Sequence, residues 1–183
     1  MRSLTKISRR ITAATLATTA LAGTALLTAT PASALTYKCT SSTKSIDNPA
    51  YSGPWADNWD IKISLCSARS GSTVYSYAKA SWDGPVMADV DDTSIFNDAV
   101  VRIWIAKSVS GSDPVVRRAS YTGIEAKLEN SDSWGNYNGS FRTGTISYRV
   151  GSTKAYVDGQ LKLDWRNDGR GYQTHNYSAS PRV

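Results

Sequence analysis

Apolar and polar side chains alternate with a period of two along much of this chain. The alternation is clearest in residues 58–66, NWDIKISLC, where Trp, Ile, Ile and Leu are separated by Asp, Lys and Ser. Successive side chains of a strand point to opposite faces, so this stretch predicts a half-buried β-strand. A helix would scatter the same apolar residues around its circumference.

Similar runs recur between clusters of turn-forming residues, and no stretch sustains a helical period. Both faces of residues 99–109 are apolar, which predicts a central strand. The GST at 151–153 predicts a hairpin connection, and Asp168-Gly169 predicts a tight turn. Segments 41–57 and 130–139 have no such period and are expected to be irregular. The further predicted strands are 74–82, 99–109, 115–129, 140–150, 154–165 and 172–177. About eight strands at this spacing predict an all-β fold, a single antiparallel β-sandwich.

The N-terminal 34 residues predict an export signal that is not part of this fold. A front with four basic and no acidic residues is followed by an uncharged Ala/Leu/Thr stretch, 11–28. Ala32-Ser33-Ala34 then supplies the small-x-small pattern of signal peptidase sites, which predicts cleavage after Ala34. The alternative is a retained membrane anchor. We expect a signal peptide over 1–34 and a secreted β-sandwich domain over 35–183, with no membrane partner after cleavage. Either the Sec or the twin-arginine export route fits.

The net charge of +6 comes largely from the predicted signal. Without its four basic residues, 17 of the 21 Lys and Arg residues remain against 15 acidic residues, a net charge of +2. The one basic doublet in the secreted part, Arg117-Arg118, would point to opposite faces of a strand. A nucleic-acid-binding protein concentrates its basic residues on one surface, so nucleic acid is not an expected partner.

The two cysteines, Cys39 and Cys66, predict one disulfide bond in an oxidising exterior, because their spacing is not that of a CxxC motif. A metal site would need further ligands nearby, and the single histidine lies more than 100 residues further along the chain than Cys66. No metal or other cofactor is therefore expected.

The ionisable residues that could act in catalysis form no recognisable catalytic motif in the sequence. His175 lies in a polar terminal strand, and no GxSxG motif accompanies it, so a solvated or hydrogen-bonded polar residue is expected rather than catalysis. Glu125 and Glu129 are spaced to share one face of a strand, where solvent-facing charge is expected. A further acidic group could bind calcium or form an exposed turn, and comprises Asp89, Asp91, Asp92 and Asp98.

Aromatic residues with a polar atom are abundant: six Trp and ten Tyr against two Phe. Trp59, Trp104 and Trp165 lie in predicted strands and are expected in the core. The aromatic residues of the irregular segments are candidates for binding, because they offer large contact area with few rotatable bonds. Alternatively, they cover the ends of the sandwich. The binding candidates are Tyr51, Trp55, Trp134 and Tyr137.

The export region, TALAGTALLTATPASALTYKC at 19–39, resembles that of small secreted proteins of Streptomyces-like actinobacteria. Protease inhibitors, carbohydrate binders and the adaptor subunits of umbrella-type antibacterial toxin particles share this format. The inhibitors usually carry two disulfides in a shorter domain, whereas this chain can form one. The adaptor resemblance implies a protein that bridges a repeat-containing toxin scaffold and a lectin-bearing subunit.

We therefore expect a secreted, non-enzymatic, protein-binding module, an adaptor subunit of an extracellular antibacterial assembly, whose partners are other secreted proteins. Its unprotected edge strand would be available for strand addition. The alternative is a carbohydrate- or cell-wall-binding module that stacks glycans on Trp55, Trp134 and nearby tyrosines. A third class, a small hydrolase, would need a buried carboxylate pair or a contact between His175 and an aspartate in a cleft.

Overall fold

Within the described residues, nine strands form two antiparallel sheets, which confirms the all-β sandwich; about eight strands were expected. The computed structural model describes residues 34–49, 51–54, 57–85, 95–131 and 138–183, which lie in the compact unit Ala34–Val183. The strands are β1 (Lys38–Ile46), β2 (Trp59–Ser70), β3 (Thr73–Asp83), β4 (Phe96–Lys107), β5 (Val115–Tyr121), β6 (Asn138–Arg142), β7 (Ile146–Arg149), β8 (Ala155–Trp165) and β9 (Tyr172–Tyr177). A 3-10 turn (Thr122–Ile124) and the short helix α1 (Glu125–Glu129) follow β5.

The first sheet has the order β1-β2-β3, and β6 and β7 share the free edge of β3. β6 pairs with residues 79–83 of β3, and β7 pairs with residues 73–76. The second sheet has the order β5-β4-β8-β9. The predicted central position of residues 99–109 is therefore confirmed, since β4 lies between β5 and β8.

The core lies between the two sheets and is built from every second residue of the long strands. Trp59, Ile61, Ile63 and Leu65 of β2 are each at most 2% exposed. In β8, the alternate residues from Ala155 to Trp165 are buried, as the sequence predicted. Removing these apolar side chains from water is the main favourable contribution to folding.

Gly159 of β8 packs closely against both the neighbouring strand β4 and the opposite sheet. A Cβ atom at this position would lie 2.9 Å from the carbonyl oxygen of Arg102 and 3.1 Å from Cδ2 of Leu65 in the opposite sheet. The glycine is required by space, because its φ is not in the left-handed region.

We expect Gly159→Ala to lower the free energy of unfolding by about 1–3 kcal/mol, because the added methyl group overpacks the core. Guanidinium unfolding followed by tryptophan fluorescence measures the change. Gly123→Ala is the matched control, since a Cβ there meets Phe141 at an ordinary 3.5 Å. Equal stability of the two variants would show that the core at Gly159 can relax.

β1 was not predicted, because residues 41–46 were assigned to an irregular segment. Its side chains are mostly Ser, Thr and Lys and remain exposed, so they show no apolar alternation. Pairing with β2 holds the strand in place, and Cys39 lies directly opposite Cys66. The predicted Cys39–Cys66 disulfide is formed, and it indicates an oxidising, extracellular-type environment.

Replacing both cysteines by serine should lower the free energy of unfolding by about 3.5 kcal/mol, from the loop-closure entropy of a 27-residue separation. Amide hydrogen exchange in β1 should accelerate more than exchange in β2, because the disulfide fixes an edge strand. Guanidinium unfolding and exchange detected by mass spectrometry are the measurements. Unchanged exchange in β1 would show that its pairing does not depend on the crosslink.

The predicted strand 115–129 ends at Tyr121 and continues as the 3-10 turn and α1, so the assignment of Glu125 and Glu129 to one strand face was wrong. Glu129 is only 5% exposed, and its Oε1 accepts a 3.1 Å hydrogen bond from the backbone N–H of Phe96. Glu125 accepts a bond from the N–H of Ala99. Pairing of β4 with β5 begins only at Val101. The two carboxylates therefore bond to N–H groups in a part of β4 that β5 does not reach.

The predicted strand 140–150 is two strands, β6 and β7, separated at residues 143–145. The buried Thr143 holds the chain between these two strands against β3. Its backbone N–H donates to the carbonyl of Ala78, and its Oγ1 accepts from the N–H of Ala78. The predicted hairpin at 151–153 was also wrong, since β7 belongs to the first sheet and β8 to the second. The segment is a crossing between sheets.

The guanidinium group of Arg69 fixes this crossing. It donates hydrogen bonds to the carbonyls of Gly151 (2.8 Å), Thr153 and Val183 (3.0 Å). A charged donor shared by three carbonyls holds the crossing and the C-terminal residue against the end of β2.

The predicted turn at Asp168-Gly169 connects β8 to β9 as a hairpin. The residues of this connection in the left-handed region are Asn167 (φ 66°), Gly169 (φ 65°) and Gly171 (φ 64°), and Asp168 is not among them. The Oδ1 of Asp168 instead accepts the backbone N–H of Arg170 at 2.8 Å. The side chain therefore stabilises the turn by hydrogen bonding.

Two of the three tryptophans predicted in the core are there. Trp59 and Trp165 are at most 2% exposed, and Phe96 packs between them. The prediction for Trp104 was wrong: it is only partly buried and lies on the outer face of β4. Both faces of β4 are apolar, so the strand alone did not indicate which face the sandwich would cover.

Candidate functional site

Tyrosine and serine side chains dominate one end of the outer face of the first sheet. In β3 the even-numbered residues from Val74 to Trp82 are buried, so Tyr75 and Tyr77 point outward. Tyr37, immediately before β1, packs its ring edge-on against Tyr77 with centroids 4.8 Å apart. We call this surface the tyrosine–serine face: Tyr37, Ser41, Ser64, Tyr75, Tyr77, Arg142 and Ser147.

The aromatic part of this face is held in place by neighbouring side chains. The guanidinium carbon of Arg142, on β6, lies 3.9 Å from the ring centroid of Tyr77. Cys66 pairs with Tyr77 across β2 and β3, so the disulfide lies next to Tyr77 on the same face. These contacts restrict the rotation of the tyrosine side chains. Less conformational entropy is therefore lost when a partner covers them.

Hydroxyl groups extend the face towards β1 and β7. The Oγ atoms of Ser41 and Ser64 lie 2.6 Å apart across β1 and β2. Ser147 lies opposite Tyr75 across β3 and β7. Each hydroxyl group can donate one hydrogen bond and accept two, so these serines can adapt to donors or acceptors of a partner.

Charge is distributed unevenly along the outer face. Lys79 lies opposite Arg142, and Arg149 lies opposite Thr73, so cations surround the tyrosines. At the other end, Asp60 lies opposite Asp83, and Lys62 is the cation beside them. A partner with acidic groups over Arg142 would therefore be oriented by the charge difference along the sheet.

The edge of β1 adjoins the tyrosine–serine face. Cys39 and Cys66 have a Cα–Cα distance of 4.1 Å, which marks their pair as a close, non-hydrogen-bonded one. Alternation then gives Ser41, Thr43 and Ser45 backbone N–H and C=O groups that point away from β2. Within the described ranges, no strand pairs with this edge. The predicted edge strand is therefore present, although at a segment that was expected to be irregular.

Of the four predicted binding residues, only Tyr51 lies among the described residues; Trp55, Trp134 and Tyr137 fall outside them. The N–H of Tyr51 donates to the carbonyl of Asn48, just past the end of β1. Tyr37 precedes the start of this nine-residue strand, which spans about 25–30 Å. The structure therefore does not bring Tyr51 to the tyrosine–serine face. Binding through these four residues stays a prediction.

The residues of the tyrosine–serine face were missed because their strand is ambiguous in sequence. In TVYSYAKAS the tyrosines alternate with Val74, Ser76 and Ala78, and either set could have faced the core. The small residues face inward, since Ser76 bonds the buried Ser67 at 2.9 Å. Small inward residues leave space for the side chains of the opposite sheet. Their alternation with the tyrosines was the signal in the sequence that could have identified the outward face.

His175 lies on β9 opposite Leu161, with its imidazole partly buried. Its Nε2 atom is buried and has no hydrogen-bond partner in the described part of the chain. Burial, and to a lesser extent the Lys44 ammonium, lower the pKa of His175. A Ser-His-Asp triad requires a carboxylate bonded to the imidazole, and no described residue supplies that bond.

Asp98 is the one described member of the acidic group considered for calcium, since Asp89, Asp91 and Asp92 lie outside the described residues. Its carboxylate accepts a hydrogen bond from the hydroxyl group of Tyr172. This bond, more than burial, raises the pKa of Tyr172 to about 12. Within the ranges described, no three acidic, histidine or cysteine side chains are grouped to hold a metal ion.

No protein-family model and no curated protein sequence matches this chain. Among the helices of the described ranges, none is long and apolar enough to cross a membrane. The geometry of the surface is therefore the basis for assigning a function.

The partly buried His175 should make stability depend on pH. Its pKa lies below the ordinary 6.5 in the folded state, so the unfolded chain binds more protons just below pH 6.5. The stability contributed by the neutral imidazole is complete above pH 6.5 and is lost as the pH falls towards the folded pKa.

We expect the melting temperature to fall less between pH 7.5 and 5.5 in His175→Gln than in the unmodified protein. Differential scanning calorimetry at both pH values measures the difference. Thr174→Gln, at an exposed neighbouring position, is the control. The same pH slope in His175→Gln and the unmodified protein would contradict a role for imidazole burial.

Proposed function

We propose that this protein is a secreted, non-enzymatic module that binds another protein through its tyrosine–serine face. The main observation in its support is the ordered group of Tyr37, Tyr77 and Arg142 on a sheet face bordered by serine hydroxyl groups. Tyrosine and arginine are enriched in protein interfaces, and tyrosine with serine is the characteristic combination of antibody binding loops. Tyrosine supplies contact area at low entropic cost, and serine supplies adaptable hydrogen bonds.

The edge of β1 supports the same proposal, because it offers a second, directional mode of contact. The outward backbone groups of Ser41, Thr43 and Ser45 could pair with an extended segment of the partner. Backbone pairing would supply affinity, and the adjoining tyrosines would supply specificity. The disulfide at the start of β1 would keep the strand from fraying when the partner dissociates.

Secretion and an adaptor role are part of the proposal and rest on the sequence. The predicted signal at 1–34 and the Cys39–Cys66 disulfide are consistent with an extracellular location. The resemblance of the export region to actinobacterial secreted proteins supports an adaptor subunit of an extracellular antibacterial assembly. The partners would then be other secreted proteins.

Recovery of the tagged protein from the culture supernatant of its producing cells, followed by mass spectrometry, should identify a co-purifying secreted protein. The affinity of this protein for that partner should fall about tenfold or more in Tyr77→Ser and in Arg142→Gln, because central tyrosine and arginine residues dominate interface energies. Surface plasmon resonance with the purified partner measures both variants.

Tyr172→Ser is the matched control for Tyr77→Ser, since Tyr172 also carries a cation, Lys162, over its ring but lies on the second sheet. It should bind the partner as the unmodified protein does. Recovery of the protein as a solitary monomer would contradict the proposal, as would equal losses from Tyr77→Ser and Tyr172→Ser.

A further inference from the structure

The outer face of the second sheet contains a shallow cleft of about 180 Å³. The side chains that line it come from three neighbouring strands: Arg102 and Trp104 from β4, Arg118 and Ser120 from β5, and Gln160 from β8. It lies on the opposite sheet from the tyrosine–serine face.

Strand pairing brings these side chains together. Arg102 lies opposite Ser120 on one side and opposite Gln160 on the other, and Trp104 lies opposite Arg118. Side chains directly opposite on one face have Cβ atoms about 5 Å apart, and diagonal neighbours are about 7–8 Å apart. The two arginines are diagonal neighbours, so their long side chains can reach the same ligand group beside the indole.

The charge of the cleft is unbalanced. Its lining, all within described strands, includes two arginines and no acidic side chain. The nearest carboxylate in the register, Asp158, is opposite Trp104 on the other side, and its Oδ1 accepts the N–H of Gly159 at 2.7 Å. Two guanidinium groups in one cleft favour an anionic group, which each can bind with two parallel hydrogen bonds.

We propose that this cleft binds an acidic sugar residue of a polysaccharide. The ring would pack its C–H face on the indole of Trp104, while Arg102 and Arg118 bind its carboxylate. Gln160 and Ser120 would form hydrogen bonds with ring hydroxyl groups. The volume is below that of a pocket for a drug-sized ligand, so one sugar ring at a time enters the cleft.

The composition of the cleft favours this ligand over other anions. An inorganic anion has no flat apolar surface for Trp104. An acidic peptide side chain places its carboxylate on a flexible stem that leaves the indole uncovered. An acidic sugar carries an apolar face, hydroxyl groups and an anion on one rigid ring, and each has a counterpart in the lining.

The test uses the protein exported from the full chain, titrated with tetragalacturonate and, as the uncharged counterpart, galactotetraose. NMR spectra should show shifts of the Trp104 indole N–H with tetragalacturonate. We expect Arg102→Gln and Arg118→Gln each to weaken binding about tenfold or more, from the loss of charge-assisted hydrogen bonds. Galactotetraose should bind at least tenfold more weakly than tetragalacturonate.

Arg117→Gln is the matched control, because it removes the same charge from the adjacent position of β5, where side chains point to the other face. It should bind tetragalacturonate as the unmodified protein does. An equal loss in Arg117→Gln would show non-specific attraction by charge and overturn the proposal. So would the absence of any binding at millimolar tetragalacturonate by a folded protein.

Two further probes test the class of ligand. Tetraglutamate or uridine monophosphate binding more tightly than tetragalacturonate, with the same dependence on Arg102 and Arg118, would overturn the assignment to a sugar. This inference does not rest on the proposed protein-binding function. Tyr77→Ser should leave sugar binding unchanged, so each proposal can fail without the other.

Discussion

The packing of two apolar sheet faces against each other is the constraint on which this structure depends. Trp59 of β2, Phe96 of β4 and Trp165 of β8 form the aromatic centre, with ring centroids 6.0 and 4.6 Å apart. Close packing at Gly159 shows that little space remains between the sheets. Each strand presents one face to the core and the other to solvent. The packing of the core therefore decides which side chains lie on the two outer faces.

Several polar groups inside or beside the core form hydrogen bonds that join the two sheets. Ser180, near the C-terminus, lies 3.0 Å from Ser67 of β2 and accepts the N–H of Val157 in β8. The hydroxyl group of the buried Tyr177 on β9 donates to the carbonyl of Ile61 on β2. Such bonds are directional, so they fix the relative position of sheets that apolar contact alone would leave free to slide.

The two outer faces carry different chemistry because the core restricts neither. One presents tyrosines and serines beside the β1 edge, and the other presents Trp104 between arginines. If both proposals hold, one module would bind a protein on one sheet and an acidic polysaccharide on the other. An adaptor requires two separate surfaces of this kind, and a sandwich supplies them on a single rigid core.

The sequence by itself determined the all-β class, most of the strands, the inward faces of β2 and β8, the disulfide and the β8–β9 hairpin. These features are encoded locally, in a period of two or in residue types such as cysteine and glycine. The tertiary structure decided what depends on a partner elsewhere in the chain. β1 is a strand because β2 pairs with it, and α1 forms beside a part of β4 that β5 does not reach. Trp104 faces outward because the other face of β4 meets the opposite sheet. The tyrosine–serine face and the arginine cleft were not visible in sequence for the same reason, since alternation identifies two faces of a strand but not the strands beside it.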